Sequence, residues 1–487
     1  MSDTVALAKK TLDEVGKTTQ MSPSTYDTAW LARLDNGTGS RALSWIRDHQ
    51  HADGAWGAPS VSYNHDKVIC TLAAMAALLN AGYSPKSPTI QRAARAFSKD
   101  VRGLETDHGA TIGFELIVPT LLSEVEALGV PLETSALDDL MWPRSSKLSA
   151  LPDRRIDRRH TPSFSAEAVG RDHLSLLDAE NLQAANGSVA FSPSASAFFA
   201  YYVRPGDQAA LAYLDDVIDA DGAVPCISPI EVFDHGWALW NFSLDPSMAR
   251  SLDLQAHVDF LTDAWVPGKG VASAIGLPLY DADDTAVVHS ALYRLGTKLD
   301  LDAIRAYKGA YHFRCYALES DPSTSTNIHV LEMLRQVLQP RHEDVQLALS
   351  FLQRTRIAGA YWLDKWHASP YYPTCHAVIA LAGVDDAMAQ DAVEWILSTQ
   401  RGDGAWGWYH YLPTAEETAY ALQALATWKR RYPSSVPEDA LTRGYQWLTE
   451  NDQEPYPPLW IGKSLYTPKL PVKSGILSAK YLVEKIL

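Results

Sequence analysis

Trp395-Ile396-Leu397-Ser398-Thr399-Gln400-Arg401-Gly402-Asp403-Gly404-Ala405-Trp406-Gly407 closes one helical segment and leads into the next. The same frame, Trp45-Ile46-x-x-x-Gln50-x-x-Asp53-Gly54-x-Trp56-Gly57, stands 350 residues earlier. A looser copy runs from Phe351-Leu352-Gln353 to Trp362, and a still looser one from Trp447-Leu448 through Gln453 to Trp460. Gln353, Gln400 and Gln453 are 47 and 53 residues apart, about one pair of helices each. Periods of that size belong to arrays or toroids of helical hairpins. The residue types explain themselves. An apolar helix ends, Asp-Gly permits a left-handed turn, the Gln amide can bond free helix-end groups, and the Trp ring packs beneath. These elements are expected to staple a barrel rather than to do chemistry.

Working outward, apolar residues recur at three- and four-residue spacing over 67–82, 327–338, 391–400 and 417–431, the signature of helices with a buried face. Alternating strand-like runs are scarce. The expected fold class is all-α, and the two strong copies of the repeat imply two α-barrel domains. Hydrophobic content of 46% over 487 residues is ample for two cores. A formal charge of −16 argues against nucleic acid or an anionic membrane surface as partner. Cys70, Cys226, Cys315 and Cys375 are far apart, which suits a reducing cytoplasm and offers no zinc pattern. No run reaches the length of a spanning helix, and the N-terminus reads as a short amphipathic helix without a signal-peptide core. Cytoplasmic location and no stable membrane insertion are expected.

The chemistry-bearing stretch is Gly276-Leu277-Pro278-Leu279-Tyr280-Asp281-Ala282-Asp283-Asp284-Thr285-Ala286-Val287-Val288. Three acids in four positions abut an apolar run. Carboxylates crowded into a poorly hydrated site cannot all ionise, because like charge and desolvation both raise pKa, so one can remain a neutral acid. The plainer reading is an acidic helix start, where Asp caps free N–H groups and suits the helix dipole.

With these features in hand, the chain resembles class II terpene cyclases. Ser24-Thr25-Tyr26-Asp27-Thr28-Ala29-Trp30 is similar to the SxYDTAW opening of labdane-related diterpene cyclases. Gly113-Phe114-Glu115, Ser192-Pro193-Ser194-Ala195-Ser196-Ala197, Asp364-Lys365-Trp366-His367, Glu417-Thr418-Ala419-Tyr420 and Pro458-Leu459-Trp460-Ile461-Gly462-Lys463-x-Leu465-Tyr466 add to it. The nearest shape is the bacterial group containing halimadienyl (tuberculosinyl) and copalyl diphosphate synthases. The resemblance implies a discontinuous layout: residues 1–20 begin a β domain, 21–250 form an inserted γ barrel, and 251–487 complete the β barrel carrying DxDD. It implies an isomerase in which Asp283, flanked by Asp281 and Asp284, protonates the terminal alkene of a prenyl diphosphate. Cyclisation then follows with the diphosphate retained. Lys463, Trp366 and Lys365 are the implied substrate contacts, although Lys463 also reads as a helix-end lysine and Trp366 as core. Mg²⁺ is the implied cofactor, mapped onto Glu105 and Asp107; an exposed acidic turn over 103–109 is the plainer reading. A downstream class I synthase or phosphatase is the implied partner.

Geranylgeranyl diphosphate is the expected substrate, giving a labdane, halimane or clerodane diphosphate. The alternatives are a drimenyl-type cyclisation of farnesyl diphosphate and a helical-toroid glycoside hydrolase using Asp281 and Asp283. Arg154, Arg155, Arg158 and Arg159 form a solvated loop or a lid over an anionic head group. Asp215-Asp216-Val217-Ile218-Asp219 spells the DDxxD of enzymes that ionise diphosphates, but a helix end followed by a turn explains it.

Overall fold

The computed structural model describes residues 3–17, 20–134, 137, 155–317, 319, 321–409 and 412–487. Helices account for nearly all regular structure in it; the strands assigned are Trp460–Ile461 and Leu465–Tyr466, paired antiparallel. In the larger core, helix Glu231–Phe242 packs on Ala282–Arg294. The ring continues through Thr324–Val337, Tyr371–Leu381, Ala415–Arg431 and Lys469–Glu484, which returns to Glu231–Phe242. Six inner helices thus close on themselves, with shorter helices outside. The sequence shows why. All 11 residues of Tyr371–Leu381 are buried. The outer helix Glu438–Glu450 buries Ala440, Leu441, Gly444 and Leu448 and gives its other faces to water.

The smaller core is a second ring. Thr25–Leu31, Asn64–Asn80, Phe114–Ala127, the 3₁₀ segment Thr161–Val169 and Pro193–Phe198 pack in that order, and the last returns to the first. Residues from Tyr26 to Val224 supply this core. The larger one takes Val5, Ala8, Leu12 and Val15, then residues from Val232 to Val483. Helix Glu231–Phe242, which a boundary at 250 assigns to the inserted barrel, therefore packs in the larger core through Trp237, Trp240 and Phe242. No helix of the described residues is long and apolar enough to cross a membrane.

The repeat holds the hairpins together. Gln50 Nε2 donates to Gly54 O (2.9 Å) and Thr89 O (3.0 Å), and Gln400 Nε2 to Gly404 O and Ala440 O (both 2.9 Å). The indole N–H of Trp56, Trp362 and Trp406 each closes a helix end, on Ile46 O, Leu352 O and Ile396 O, at 2.8 Å. Gly404 needs its φ of +96°, and a Cβ there would meet Arg443 O at 2.7 Å. Two expectations from the looser copies fail. Gln353 and Gln453 are exposed. Trp460 starts a strand, and its indole donates to Glu416 Oε1 at 2.7 Å instead of to a helix end. One staple has no Trp: Gln183 Nε2 donates to Gly187 O (3.0 Å) and Asp207 Oδ1 (2.9 Å).

The same turn disposes of DDVID. Asp219 N donates to Ala223 O at 2.8 Å and Gly222 N to Asp219 O at 3.2 Å, matching Arg401 N to Ala405 O and Gly404 N to Arg401 O. The Asp219 carboxylate accepts from Asp221 N and Ala223 N, and Asp215 accepts from the Thr38 hydroxyl. Those acids are turn and helix-end groups.

Candidate active site

Helix Ala282–Arg294 begins at the wall between the two cores. Asp281 is its N-cap and accepts the Asp284 N–H at 2.8 Å. Its backbone is held on both sides, by Asp281 N to Val271 O (3.2 Å) and Thr285 Oγ1 to Asp281 O (2.5 Å). The capping role and the acid cluster are therefore both true, of different residues. Burial, then the neighbouring Asp284 charge, pushes Asp281 well above the ordinary carboxylate range. Burial and Asp283 push Asp284 up to about 7. Asp283 is the member turned outward from this pair: 17% of its side chain is exposed, and its Oδ1 lies 2.7 Å from His329 Nδ1.

These acids open on a cavity of about 240 Å³. Phe233, Tyr316, Trp366, Trp460 and Tyr466 face it from the larger core and Phe164 from the smaller one, with Ile112, Ala190 and Cys226 also on the smaller core's side. No lysine or arginine lines it among the described residues. Such a wall can stabilise a carbocation through aromatic faces while offering few nucleophiles. Behind Asp283, His329 Nε2 lies 2.9 Å from His376 Nδ1. Trp237 packs on both imidazoles, with ring centroids 5.3 and 5.7 Å away. Glu416 anchors the far side, accepting from Trp460 Nε1 and, at 2.8 Å, from Tyr420 Oη, with His367 Nε2 at 3.2 Å.

Of the substrate contacts expected from sequence, Trp366 lines the cavity. The two lysines do not. Lys463 is fully buried between the cores, its Nζ donating to Glu167 Oε1 (2.7 Å), Ser192 Oγ (2.7 Å) and Ser194 Oγ (2.6 Å). All three of its donors are engaged, so it is a structural cation here. Lys365 pairs with Glu319, donates to Asp321 O at 2.6 Å, and sits 4.8 Å from the Trp366 ring centroid, holding that ring from outside the cavity. Glu105 is exposed on a short 3₁₀ turn. Asp107 accepts from His65 N (2.9 Å) and Asn64 Nδ2 (3.1 Å), with His65 Nδ1 at 2.8 Å, and so anchors the start of helix Asn64–Asn80. A carboxylate committed to nitrogen donors beside one exposed glutamate does not make a ligand set for resident Mg²⁺. No group of three His, Cys, Asp or Glu able to hold a metal exists among the described residues.

Arg154 lies outside the described residues, and Arg155 and Arg158 are exposed. Arg159 pairs with Asp157 at 2.8 Å and, with Lys269, borders a second hollow of about 240 Å³. That hollow shares Thr161, Leu279 and Tyr316 with the first.

Sequence reasoning missed His329 and His376. The signal was the repeat itself: Asp283 and His329 are 46 residues apart and His329 and His376 47, the interval between Gln353 and Gln400. Successive inner helices present side chains at that interval to the same level of the barrel.

Comparison with known proteins places this geometry among relatives. The squalene-hopene cyclase C-terminal domain profile matches residues 314–471. The chain is 40% identical over 485 residues to a type B diterpene cyclase of Mycobacterium tuberculosis, covering 96% of each. It is 30% identical over 501 residues to an ent-copalyl diphosphate synthase of Streptomyces sp. (strain KO-3988), covering 96% of this chain and 93% of that one. Its structure is similar to that of ent-copalyl diphosphate synthase from Streptomyces platensis, with TM-score 0.80, 28% identity and 99% of each chain covered.

Proposed function

The chain belongs to the bacterial class II diterpene cyclase family, and from that premise we propose that it folds geranylgeranyl diphosphate into its inter-barrel cavity and cyclises it to a bicyclic diterpenyl diphosphate. Asp283 is the proton donor in this reading. The observation that carries it is the placement of Asp283, the one acid of the three that both lines the aromatic cavity and meets a histidine. An alkene is a feeble base, so its protonation needs an oriented acid kept from water. Burial raises the pKa of both Asp281 and Asp284, which inclines the group of three toward sharing fewer than three negative charges, so that one member can keep a proton. His329 Nδ1 engages Oδ1, leaving Oδ2 to carry the proton toward the terminal alkene. The resulting cation closes rings along a wall of Phe233, Trp366 and Trp460. Loss of a proton from carbon ends the sequence with the carbon–oxygen bond to diphosphate untouched.

The second hollow, with Arg159 and Lys269, is the seat we assign to the diphosphate. Mg²⁺ would enter this scheme with the substrate diphosphate rather than on Glu105 and Asp107, and would offset the meeting of a polyanion with a chain of net charge −16. The retained diphosphate calls for a consuming class I synthase or phosphatase. Four free, buried cysteines support a cytoplasmic setting.

The test is incubation with geranylgeranyl and farnesyl diphosphates separately, phosphatase treatment and mass spectrometry, with inorganic diphosphate measured before the phosphatase. A bicyclic C20 alcohol and no released diphosphate is the expected result. A C15 drimane product alone would transfer the assignment to farnesyl diphosphate, and stoichiometric diphosphate release would overturn it. Asp283→Asn should lose at least roughly 10²–10⁴-fold in turnover with the fold intact, since the isosteric amide cannot supply the proton. Near-normal turnover by the folded variant removes Asp283 from the acid's role.

A further inference from the structure

His376 stands one step behind the proposed chemistry and has a bare nitrogen. Its Nδ1 lies 2.9 Å from His329 Nε2, yet its Nε2 is buried with no hydrogen-bond partner among the described residues. Rings pack around it: Trp240 (centroids 4.8 Å), Tyr372 (4.6 Å), Tyr420 (5.3 Å) and Trp237. Burial, then the neighbouring His329 and His367, holds the His376 pKa well below the ordinary imidazole value, so the ring is neutral. A neutral imidazole has one N–H, and the bond made by one nitrogen decides the state of the other.

Two arrangements of protons satisfy the line Asp283–His329–His376. In the first, His376 Nδ1–H donates to His329 Nε2, and His329 Nδ1–H donates to Asp283 Oδ1. The acid proton then sits on Oδ2, free to face the cavity. In the second, every bond reverses: Asp283 Oδ1–H donates to His329, His329 Nε2–H donates to His376, and the acid proton points away from the substrate. The second leaves an orphaned N–H in the aromatic cage, whereas the first leaves a bare acceptor. On the main chain, orphaned buried N–H groups are rarer than under-satisfied acceptors, and the same cost of desolvating a donor disfavours the second arrangement here.

The geometry points to His376 as a positioning residue that, by donating from Nδ1, fixes His329 as the Nδ1–H tautomer and so aims the Asp283 proton at the alkene. It also ties up the one nitrogen through which His329 could become an imidazolium. An imidazolium beside Asp283 would hold it as a carboxylate and switch the acid off. The other titratable groups facing the two rings are already committed or uncharged. Glu332 is paired with Arg294 and accepts from Trp240 Nε1, Glu416 accepts from Trp460 and Tyr420 with His367 beside it, and Tyr372 and Tyr420 are neutral phenols raised by burial.

This inference rests on Asp283 being the acid, so one readout must be free of activity. In ¹⁵N-histidine-labelled protein without substrate, both His329 and His376 should show a protonated Nδ1 and a bare Nε2. Protonated Nε2 at either ring overturns the proposal whether or not the enzyme turns over the expected substrate. The kinetic arm compares His376→Leu, which has no donor, with His376→Asn, whose amide nitrogen falls near the position of Nδ1. The Leu variant should lose about tenfold or more in kcat with KM near wild type, an effect of proton-positioning size. Its remaining activity should fall as pH is lowered from about 8 to about 6, across the range in which imidazoles ordinarily take up a proton. The Asn variant should recover most of the lost kcat and of the wild-type pH profile. Equal impairment of both variants at matched melting temperature, or a change in KM alone, would make His376 a packing residue and overturn the assignment.

Discussion

Asp281, Asp283 and Asp284 begin the same helix and line the same cavity but have three environments: Asp281 caps, Asp284 is enclosed beside it, and Asp283, the least buried, pairs with His329. The enclosed one has a measurable consequence for stability. Asp284 moves from the ordinary 3.8 up to about 7, first through burial and then through Asp283. The folded chain thus retains a proton there that the unfolded chain releases near 3.8. This group favours the folded state below about pH 4, and the advantage is lost as pH rises through about 7. An amide has no proton to lose. Asp284→Asn should therefore raise the melting temperature relative to wild type at pH 8, by about 2 °C or more, with a clearly smaller gain at pH 5 and none below about pH 4. Thermal unfolding of both proteins at these pH values checks this; a pH-independent difference would mean that packing, not the titration, sets it.

At the scale of the element, the staples act through burial and a single indole hydrogen bond. Trp406 is fully buried, its N–H closes helix Asp386–Ser398 on Ile396 O, and its ring packs where Gly444 leaves room. Trp406→Ala should cost about 3–5 kcal/mol, the range for removing a buried aromatic ring. Because Trp406 does not line the cavity, the product profile should be unchanged. Denaturant unfolding paired with product analysis decides it: unchanged stability with altered products would make the tryptophan a pocket residue.

At the scale of the molecule, three sequence motifs that carry the family resemblance meet in one buried clasp between the cores. Tyr26 and Asp27 come from the SxYDTAW stretch, Ser192 and Ser194 from the serine run, and Lys463 and Ser464 from the hairpin of the larger core. Tyr26 Oη donates to Glu167 Oε1 at 2.9 Å, Ser24 Oγ to Asp27 Oδ2 at 2.7 Å, and Ser24 Oγ lies 2.9 Å from Ser464 Oγ. Lys463 at the centre joins residues 271 and 296 positions away. Lys463→Met strands the buried Glu167 charge and should cost about 3–5 kcal/mol. Adding Glu167→Gln should return part of that loss, because the stranded charge is removed. Melting temperatures of the single and double variants test the clasp, and a folded, equally stable Lys463→Met enzyme with raised KM would restore the lysine to the head group.

Everything carried by local spacing was legible in the chain alone: helices from three- and four-residue periodicity, two barrels from the repeat, and a crowded acid site from Asp281-Ala282-Asp283-Asp284. Each depends on short patterns of neighbouring residues, and the barrels on the recurrence of one such pattern along the chain. The roles of individual side chains were not legible in this way. All three acids line the cavity, but Asp283 alone meets a histidine there, because closure of the six-helix ring sets the rotation of helix Ala282–Arg294 against its neighbour. His329 and His376 join it from two further helices, 46 and 47 residues on. Lys463 and Asp107, expected at substrate and metal, are instead satisfied by Glu167, Ser192 and Ser194 in one case and by Asn64 and His65 in the other. A lysine or a carboxylate becomes a ligand or a staple according to which partners the closed rings bring within hydrogen-bond distance, and only the packing of distant helices decides that.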